Sequence, residues 1–275
     1  MPWRATPALI LGVLLAACSA TGGAALSPSF PSVGASPRPA ALTVFAAASL
    51  KAALEEASTA YEAAKPGTSV TISTDSSSAL EAQIEQGAPA DVFLSADMAN
   101  PQKLVDAGFA SGDPTEFAGN KLTIIVPADN PARIESPIDL ARRGVKVIAA
   151  GDEVPITKYA TRLVRNLAST AGYPADFATK YAANVVSRED NVKAVVGKIE
   201  LGEGDAGIVY ATDTAASGKV ATVDVPDGAN VPVTYAGVVV RASQQQAAAR
   251  AFLDWLSRDG GRAILARYGF LRPAP

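Results

Sequence analysis

The strongest constraint on the fold is an alternation that begins near residue 41. Short, continuous apolar runs are followed by longer stretches with helical spacing. Leu42-Thr43-Val44-Phe45-Ala46-Ala47 reads as a buried strand, and the segment 49–64 puts Leu50, Ala53, Leu54, Ala57 and Tyr61 on one helical face. Lys65-Pro66-Gly67 stops that helix. The pattern continues with a strand at 70–73, a helix at 78–86, a strand at 90–95, a helix at 101–107 ended by Gly108, and a strong strand at 122–126 before Pro127. A second run has strands at 145–149, 206–210, 220–225 and 233–240. Its helices are 156–171, 191–201, 244–256 and 260–268. Such alternation predicts an α/β protein with mostly parallel sheets flanked by helices. Two runs over 41–275 predict two lobes, with crossings at 122–126 and 235–240 and the last helices returning to the first lobe. Ligands of such folds sit beyond the carboxyl ends of the strands, often in the cleft between lobes.

The segment before this pattern differs in kind. Residues 1–17 read as an export signal, with Arg4 as the positive region and an apolar stretch at 8–17 too short to span a bilayer. Leu15-Ala16-Ala17-Cys18 resembles a bacterial lipobox, which implies cleavage before Cys18 and lipidation of its thiol. An incidental cysteine after an ordinary signal peptide is the alternative. Residues 18–40 are rich in Ser, Ala, Gly and Pro and read as a flexible linker. The expected plan is therefore a signal at 1–17, the lipidated Cys18 and linker at 18–40, a first lobe of 41–122 with 236–275, and a second lobe of 123–235. That plan implies an exported protein anchored at the outer face of the cytoplasmic membrane.

Composition excludes several chemistries. The 275 residues include no His and one Cys. No Ser-His-Asp or Cys-His pair, His-ligated zinc, intramolecular disulfide or thiolate cluster can be built from them. A net charge of −3 disfavours a nucleic-acid surface. Neither common glycine-rich nucleotide loop occurs.

Polar residues gather at strand-to-helix turns. Ser49 follows the first strand, and Ser76-Ser77-Ser78 follows the second, with Ser78-x-x-Glu81 spaced as a capping box. Pro155 opens the helix carrying Ile156, and Ser187-x-x-Asp190 precedes the helix carrying Val192. Helix N-termini present free backbone N–H groups and a positive dipole end, so several of them converging would hold an anion without a charged side chain. Each cap taken alone has an ordinary structural explanation.

Eight segments, in order, carry a family resemblance. They are Val44-Phe45-Ala46-Ala47-Ala48-Ser49-Leu50, Ser76-Ser77-Ser78-Ala79-Leu80, the run from Gly87 to Asp97, Gly119-Asn120-Lys121-Leu122, Val154-Pro155-Ile156-Thr157-Lys158-Tyr159-Ala160, Glu189-Asp190-Asn191-Val192, Asp205-Ala206-Gly207-Ile208-Val209-Tyr210 and Arg267-Tyr268-Gly269-Phe270. Together they resemble the molybdate-binding proteins of ABC transporters over 41–272. The resemblance implies a two-lobed periplasmic-binding-protein fold of type II with the ligand between lobes. It also implies a monomer that takes no cofactor, captures molybdate or tungstate, and delivers it to a permease driven by an ATPase. Carried over by motif, the oxyanion contacts are the hydroxyl and N–H of Ser49 and Ser77, the N–H of Ile156 and Val192, and the phenol of Tyr210. All are donors, which suits a fully deprotonated oxyanion, and a neutral cage avoids burying a salt bridge.

Two positions depart from the family pattern. Ile156 stands where the family often has Ala, with bulk that could narrow the cleft. Thr157 stands where it often has Gly, with a hydroxyl that could add a donor. Lys158 is expected to be a solvated helix position, Asp91 and Asp97 to serve turns or caps rather than a metal, Trp255 to be core, and Arg142-Arg143 to lie on the surface. The runner-up ligands are other tetrahedral oxyanions such as sulfate. A serine hydrolase using Ser49 or Ser77 lacks a histidine base and a G-x-S-x-G elbow.

Overall fold

A computed structural model describes residues 39–214 and 217–273, the side chain of Asp259 apart. The export-signal, lipobox and Cys18 readings fall outside the described residues. Among the described residues, no helix is long and apolar enough to cross a membrane.

The first run of elements comprises β1 (Ala40–Ala47), α1 (Lys51–Ala64), β2 (Thr68–Asp75), α2 (Ser77–Glu85), β3 (Val92–Ser95), α3 (Ala99–Asp106) and β4 (Thr115–Asn120). The second comprises β5 (Leu122–Pro127), β6 (Val147–Ala150), α4 (Pro155–Ala168), α5 (Phe177–Ala183), β7 (Val185–Glu189), α6 (Val192–Glu200), β8 (Ala206–Tyr210) and β9 (Val220–Val223). The chain closes with β10 (Val233–Val239), α7 (Gln246–Leu256) and α8 (Asp259–Arg267).

These strands form two five-stranded sheets, ordered β2-β1-β3-β10-β4 and β7-β6-β8-β5-β9. Both sheets are mixed. In the first, β1 runs parallel to β2 and β3, while β10 is antiparallel to β3 and β4. In the second, β6 is parallel to β7 and β8, while β5 is antiparallel to β8 and β9. The chain passes between sheets at Lys121, which separates β4 from β5, and again between β9 and β10. Asn230 ties the two passages together: its Nδ2 donates to the Leu122 carbonyl at 2.9 Å and its Oδ1 accepts from the Leu122 N–H at 3.0 Å. All of β10 lies in the first sheet, so the return passage precedes the expected crossing at 235–240.

Pleating sorts the side chains of the first sheet into two layers. Val44 and Leu94 pack with Leu50, Leu54, Tyr61, Phe252 and Leu253. Phe45 and Phe93 turn the other way, toward Leu80, Ile84 and Leu104. Trp255 joins the first layer with its ring centroid 5.1 Å from that of Tyr61, which agrees with a core role.

Several local expectations change. The Ser78-x-x-Glu81 box does not form. The helix starts a residue earlier, Ser76 caps it by accepting from the Ala79 N–H at 3.3 Å, and buried Glu81 pairs with Lys103 at 3.6 Å. Ser187 lies in β7 and bonds Glu189, so the cap of α6 is Asn191, whose side chain accepts from the Ala194 N–H at 3.1 Å. The strands β4 and β7 and the helix α5 were not anticipated. β4 and β7 are edge strands of mixed polar and apolar sequence, ordered by their neighbours rather than by their own periodicity.

Parallel register has a consequence for function. Ala47 pairs with Asp75, so β1 and β2 end side by side and release Ser49 and Ser77 at the same edge. Ala150 pairs with Glu189 in the second sheet, so α4 and α6 also begin next to each other.

Close packing of β10 gives a stability test. A Cβ on Gly237 would lie 2.7 Å from Leu94 Cδ2, 2.9 Å from Leu253 Cδ1 and 3.0 Å from the Phe93 carbonyl. Gly237→Ala should destabilise the protein by about 1–3 kcal/mol through overpacking. Thermal denaturation should show this as a drop of roughly 2–4 °C per kcal/mol. An unchanged midpoint would mean that the sheet is looser here than the distances imply.

Candidate functional site

Ser49, Ser77, Ile156, Val192 and Tyr210 all line one small cavity, together with Ala96, Asn191 and neighbouring backbone. The room it leaves for a water-sized sphere is about 10 Å³. The turns after β1 and β2 form one wall. The N-termini of α4 and α6 and the end of β8 form the other. The N–H groups of Ile156 and Val192 sit in first helical turns, ahead of any intrahelical acceptor. Val154 and Pro155 enter α4 without a side-chain cap, and the fixed φ of Pro155 suits that first turn.

The side chains are arranged by what lies behind them. Ser77 is buried, and its Oγ accepts from the Ala96 N–H at 3.0 Å. The bond occupies a lone pair and leaves the hydroxyl hydrogen free for the cavity. Ser49 is also buried, with its Oγ 2.9 Å from the Tyr235 hydroxyl. Tyr210 is 1% exposed, and its hydroxyl has no hydrogen-bond partner among the described residues. Burial, then the neighbouring Tyr235, Tyr159, Asp213 and Asp97, pushes the Tyr210 phenol well above its ordinary value. It therefore stays protonated and able to donate.

Among the described residues, no Lys or Arg lines the cavity. A balanced charge pair lies behind Tyr210. Asp213, wholly buried, accepts from the Tyr210 backbone N–H at 3.2 Å and meets Lys193 Nζ at 3.1 Å. Burial raises the Asp213 carboxyl and Lys193 opposes that shift. Two bonds span the elements of the two sheets beside the cavity. Asn191 Nδ2 donates to Asp75 Oδ1 at 3.2 Å, and Asn120 Nδ2 donates to Thr212 Oγ1 at 2.9 Å.

The departures at 156 and 157 have definite consequences. Ile156 is buried in the core, so only its backbone need face the cavity. Thr157 does not supply an extra donor, because its Oγ1 donates to the Ala150 carbonyl at 2.9 Å and it is absent from the cavity wall. Lys158 is exposed, as expected. Asp97 accepts from the Asn100 N–H at 3.0 Å at the start of α3, and Asp91 accepts from the Thr43 N–H at 2.7 Å. Asp97 thus serves a cap as expected, whereas Asp91 does not serve a turn: it ties β3 to Thr43 in β1 and to Ser243 before α7. Among the described residues, no cluster of acidic or thiol side chains could hold a metal ion. Arg142 and Arg143 are exposed, and Arg142 Nη2 also donates to the Arg133 carbonyl at 3.1 Å.

Neither serine is poised as a nucleophile. The partner of Ser77 is a backbone donor, and that of Ser49 is a buried phenol whose pKa burial raises well above the ordinary value. A phenol or an N–H in that place cannot take the serine proton as a base would. The arrangement is a set of neutral donors around an enclosed space, suited to an acceptor-only ligand. Sequence reasoning missed Asn191, Asn120 and Tyr235. Asn191 carried a local signal, an Asn immediately before a helical run; Asn120 stood inside one of the resemblance motifs without an assigned role, and Tyr235 carried no signal.

Comparison with known proteins agrees with this geometry. The sequence pattern of the family described as bacterial extracellular solute-binding protein matches residues 42–271, and the chain belongs to that family. It is 37% identical over 260 residues to the molybdate-binding protein ModA of Mycobacterium tuberculosis, covering 94% of this chain and 93% of that protein. It is 32% identical over 231 residues to the putative ABC transporter substrate-binding lipoprotein YvgL of Bacillus subtilis, covering 83% and 85%. Among solved structures, the periplasmic molybdate-binding protein of Azotobacter vinelandii superposes with a TM-score of 0.72 at 26% identity, covering 85% of this chain and all of that one. The two mixed sheets are thus those of a periplasmic binding protein.

The orphaned phenol predicts a sign. Tyr210→Phe removes a buried hydroxyl that lacks a partner, so the ligand-free protein should melt no lower than wild type and gain up to about 1–3 kcal/mol. A clear loss of stability in thermal denaturation would show that the hydroxyl is already satisfied.

Proposed function

We propose that this protein captures molybdate in the cavity between its two sheets and delivers it to an ABC permease and its ATPase. The hydroxyls and N–H groups of Ser49 and Ser77, the N–H groups of Ile156 and Val192, and the phenol of Tyr210 would hold the oxyanion. The observation that carries the proposal is the buried Tyr210 hydroxyl, which lacks a partner among the described residues and shares a cavity with Ser77, whose oxygen already accepts from behind. The names of the Mycobacterium and Azotobacter relatives support molybdate as the ligand. Hydrogen bonds to a charged ligand contribute about 1.5–3 kcal/mol each, so several converging donors support tight binding without a cation.

Tungstate, of nearly the same size and charge, fits the same cage. Sulfate is smaller and satisfies fewer donors at once. The first sheet with its flanking helices forms one lobe and the second sheet the other, and closure about the paired passages signals loading to the permease. In this proposal Cys18 carries the lipid that anchors the protein at the outer face of the cytoplasmic membrane. The lipoprotein name of the Bacillus relative agrees with that anchor.

Isothermal titration of the full chain with molybdate, tungstate, sulfate and phosphate tests the proposal. One-to-one binding of molybdate and tungstate is expected, with sulfate and phosphate at least about tenfold weaker through their unmet donors. Ser49→Ala and Tyr210→Phe should each weaken molybdate by about tenfold or more, since each removes a donor facing a buried dianion. Wild-type affinity in both variants would sink the residue assignment, and no uptake of any of the four anions would sink the function.

A further inference from the structure

The cavity wall does not end at the residues that face the ligand space. Tyr235 stands behind Ser49, separated from it by 186 positions in sequence and fully buried. Its ring packs edge-on against Tyr210 at 5.7 Å and Phe270 at 5.3 Å, which fixes where its hydroxyl can point. That hydroxyl has two neighbours, Ser49 Oγ at 2.9 Å and Asn120 Nδ2 at 3.4 Å.

The direction of these bonds follows from the chemistry of the groups. Asn120 Oδ1 accepts from the Lys121 N–H at 2.9 Å, which settles the orientation of the amide and turns Nδ2 toward Tyr235 and Thr212. An amide nitrogen only donates. It therefore occupies an acceptor site on the Tyr235 oxygen, through the longer and weaker of the two bonds. Among the described residues, the single hydrogen of Tyr235 then has one acceptor within reach, Ser49 Oγ. The reverse orientation, with Ser49 donating to Tyr235, would leave a phenolic hydrogen buried without a partner, at a real cost in free energy.

We propose that Tyr235 is a positioning residue: held by Asn120, it donates to Ser49 Oγ and so directs the Ser49 hydrogen into the cavity as a donor to the oxyanion. This inference rests on the oxyanion reading of the cavity. Polarisation along the chain of bonds strengthens the Ser49 donor, because accepting one hydrogen bond makes a hydroxyl a better donor of the next. Asn120 also reaches Thr212 on the far side of the passage between sheets, so the same amide touches both halves of the fold.

A double-mutant cycle separates this role from simple packing. Molybdate is titrated calorimetrically into the wild-type chain, Tyr235→Phe, Ser49→Ala and the double variant. Tyr235→Phe should bind about fivefold more weakly or worse, as expected for losing one bond's worth of orientation. In the Ser49→Ala background the same change should cost nothing further, since no hydroxyl remains to orient. Wild-type affinity in Tyr235→Phe overturns the inference. So does a loss that persists undiminished without the Ser49 hydroxyl, which is the signature of a packing role. Asn120→Ala keeps the Tyr235 ring and gives a second route should Tyr235→Phe not fold. It should weaken binding by about twofold or more, and only when Ser49 is present. A loss of equal size in the Ser49→Ala background would overturn the inference through this variant. Failure of the wild type to take up molybdate overturns the functional reading and this role with it. Binding by the wild type without coupling in the cycle overturns this role alone.

Discussion

A hydroxyl group carries one hydrogen and two lone pairs, and the cavity depends on how these are spent. Ser77 Oγ accepts from the Ala96 N–H at 3.0 Å, Ser49 Oγ lies 2.9 Å from the Tyr235 phenol, and the Tyr210 phenol has no partner among the described residues. With the oxygens of the serines engaged from behind, their hydrogens are left for the enclosed space. The helix N-termini behave alike, because their first N–H groups precede any acceptor in the helix. The cavity is therefore lined by donors whose directions are set by covalent and hydrogen-bonding geometry before a ligand arrives. Preorganised dipoles of this kind stabilise charge without the desolvation cost of a buried cation.

The fold is the means by which five such groups meet. Parallel pairing in register brings the ends of β1 and β2 together in one sheet and those of β6 and β7 in the other. Each sheet thus presents adjacent turns from its carboxyl edge. The antiparallel strands contribute differently. β5 and β10 are the first strands after each passage, and they hold β8 and β3 in place from the far side. Charge is kept out of the wall and balanced behind it by the Asp213–Lys193 pair. The burial of Tyr210 and Tyr235 keeps both phenols protonated.

Much of this was legible in the sequence, for reasons that can be named. The apolar run at 206–210 coincides with β8, and the strong run at 122–126 lies inside β5, because strands buried on both faces announce themselves by continuous hydrophobicity. The five cavity residues were picked out together by the family resemblance of the motifs that contain them, and the structure gathers them in one place. Of the sheet edges, β2 and β9 were read from their own sequences, whereas β4 and β7 escaped notice. Thr115–Asn120 and Val185–Glu189 mix polar and apolar residues without a clean alternation, so their order comes from pairing. Caps were misplaced at Ser78 and Ser187, where Ser76 and Asn191 cap instead, since Ser, Asp and Asn are interchangeable as caps until backbone geometry selects one. The roles of Tyr235 and Asn120 were hidden for a different reason. Tyr235 read as one more apolar strand position, and its bonds to Ser49 and Asn120 span 186 and 115 positions.

In this account an oxyanion sits among neutral donors where the ends of β1, β2 and β8 meet the N-termini of α4 and α6. Crystals grown with molybdate and measured at the molybdenum absorption edge test it most directly. An anomalous peak is predicted inside the cavity, with ligand oxygens within hydrogen-bonding distance of Ser49, Ser77, Ile156 N–H, Val192 N–H and Tyr210 and with no lysine or arginine in contact. A peak lying elsewhere, or one held by basic side chains, would contradict the account.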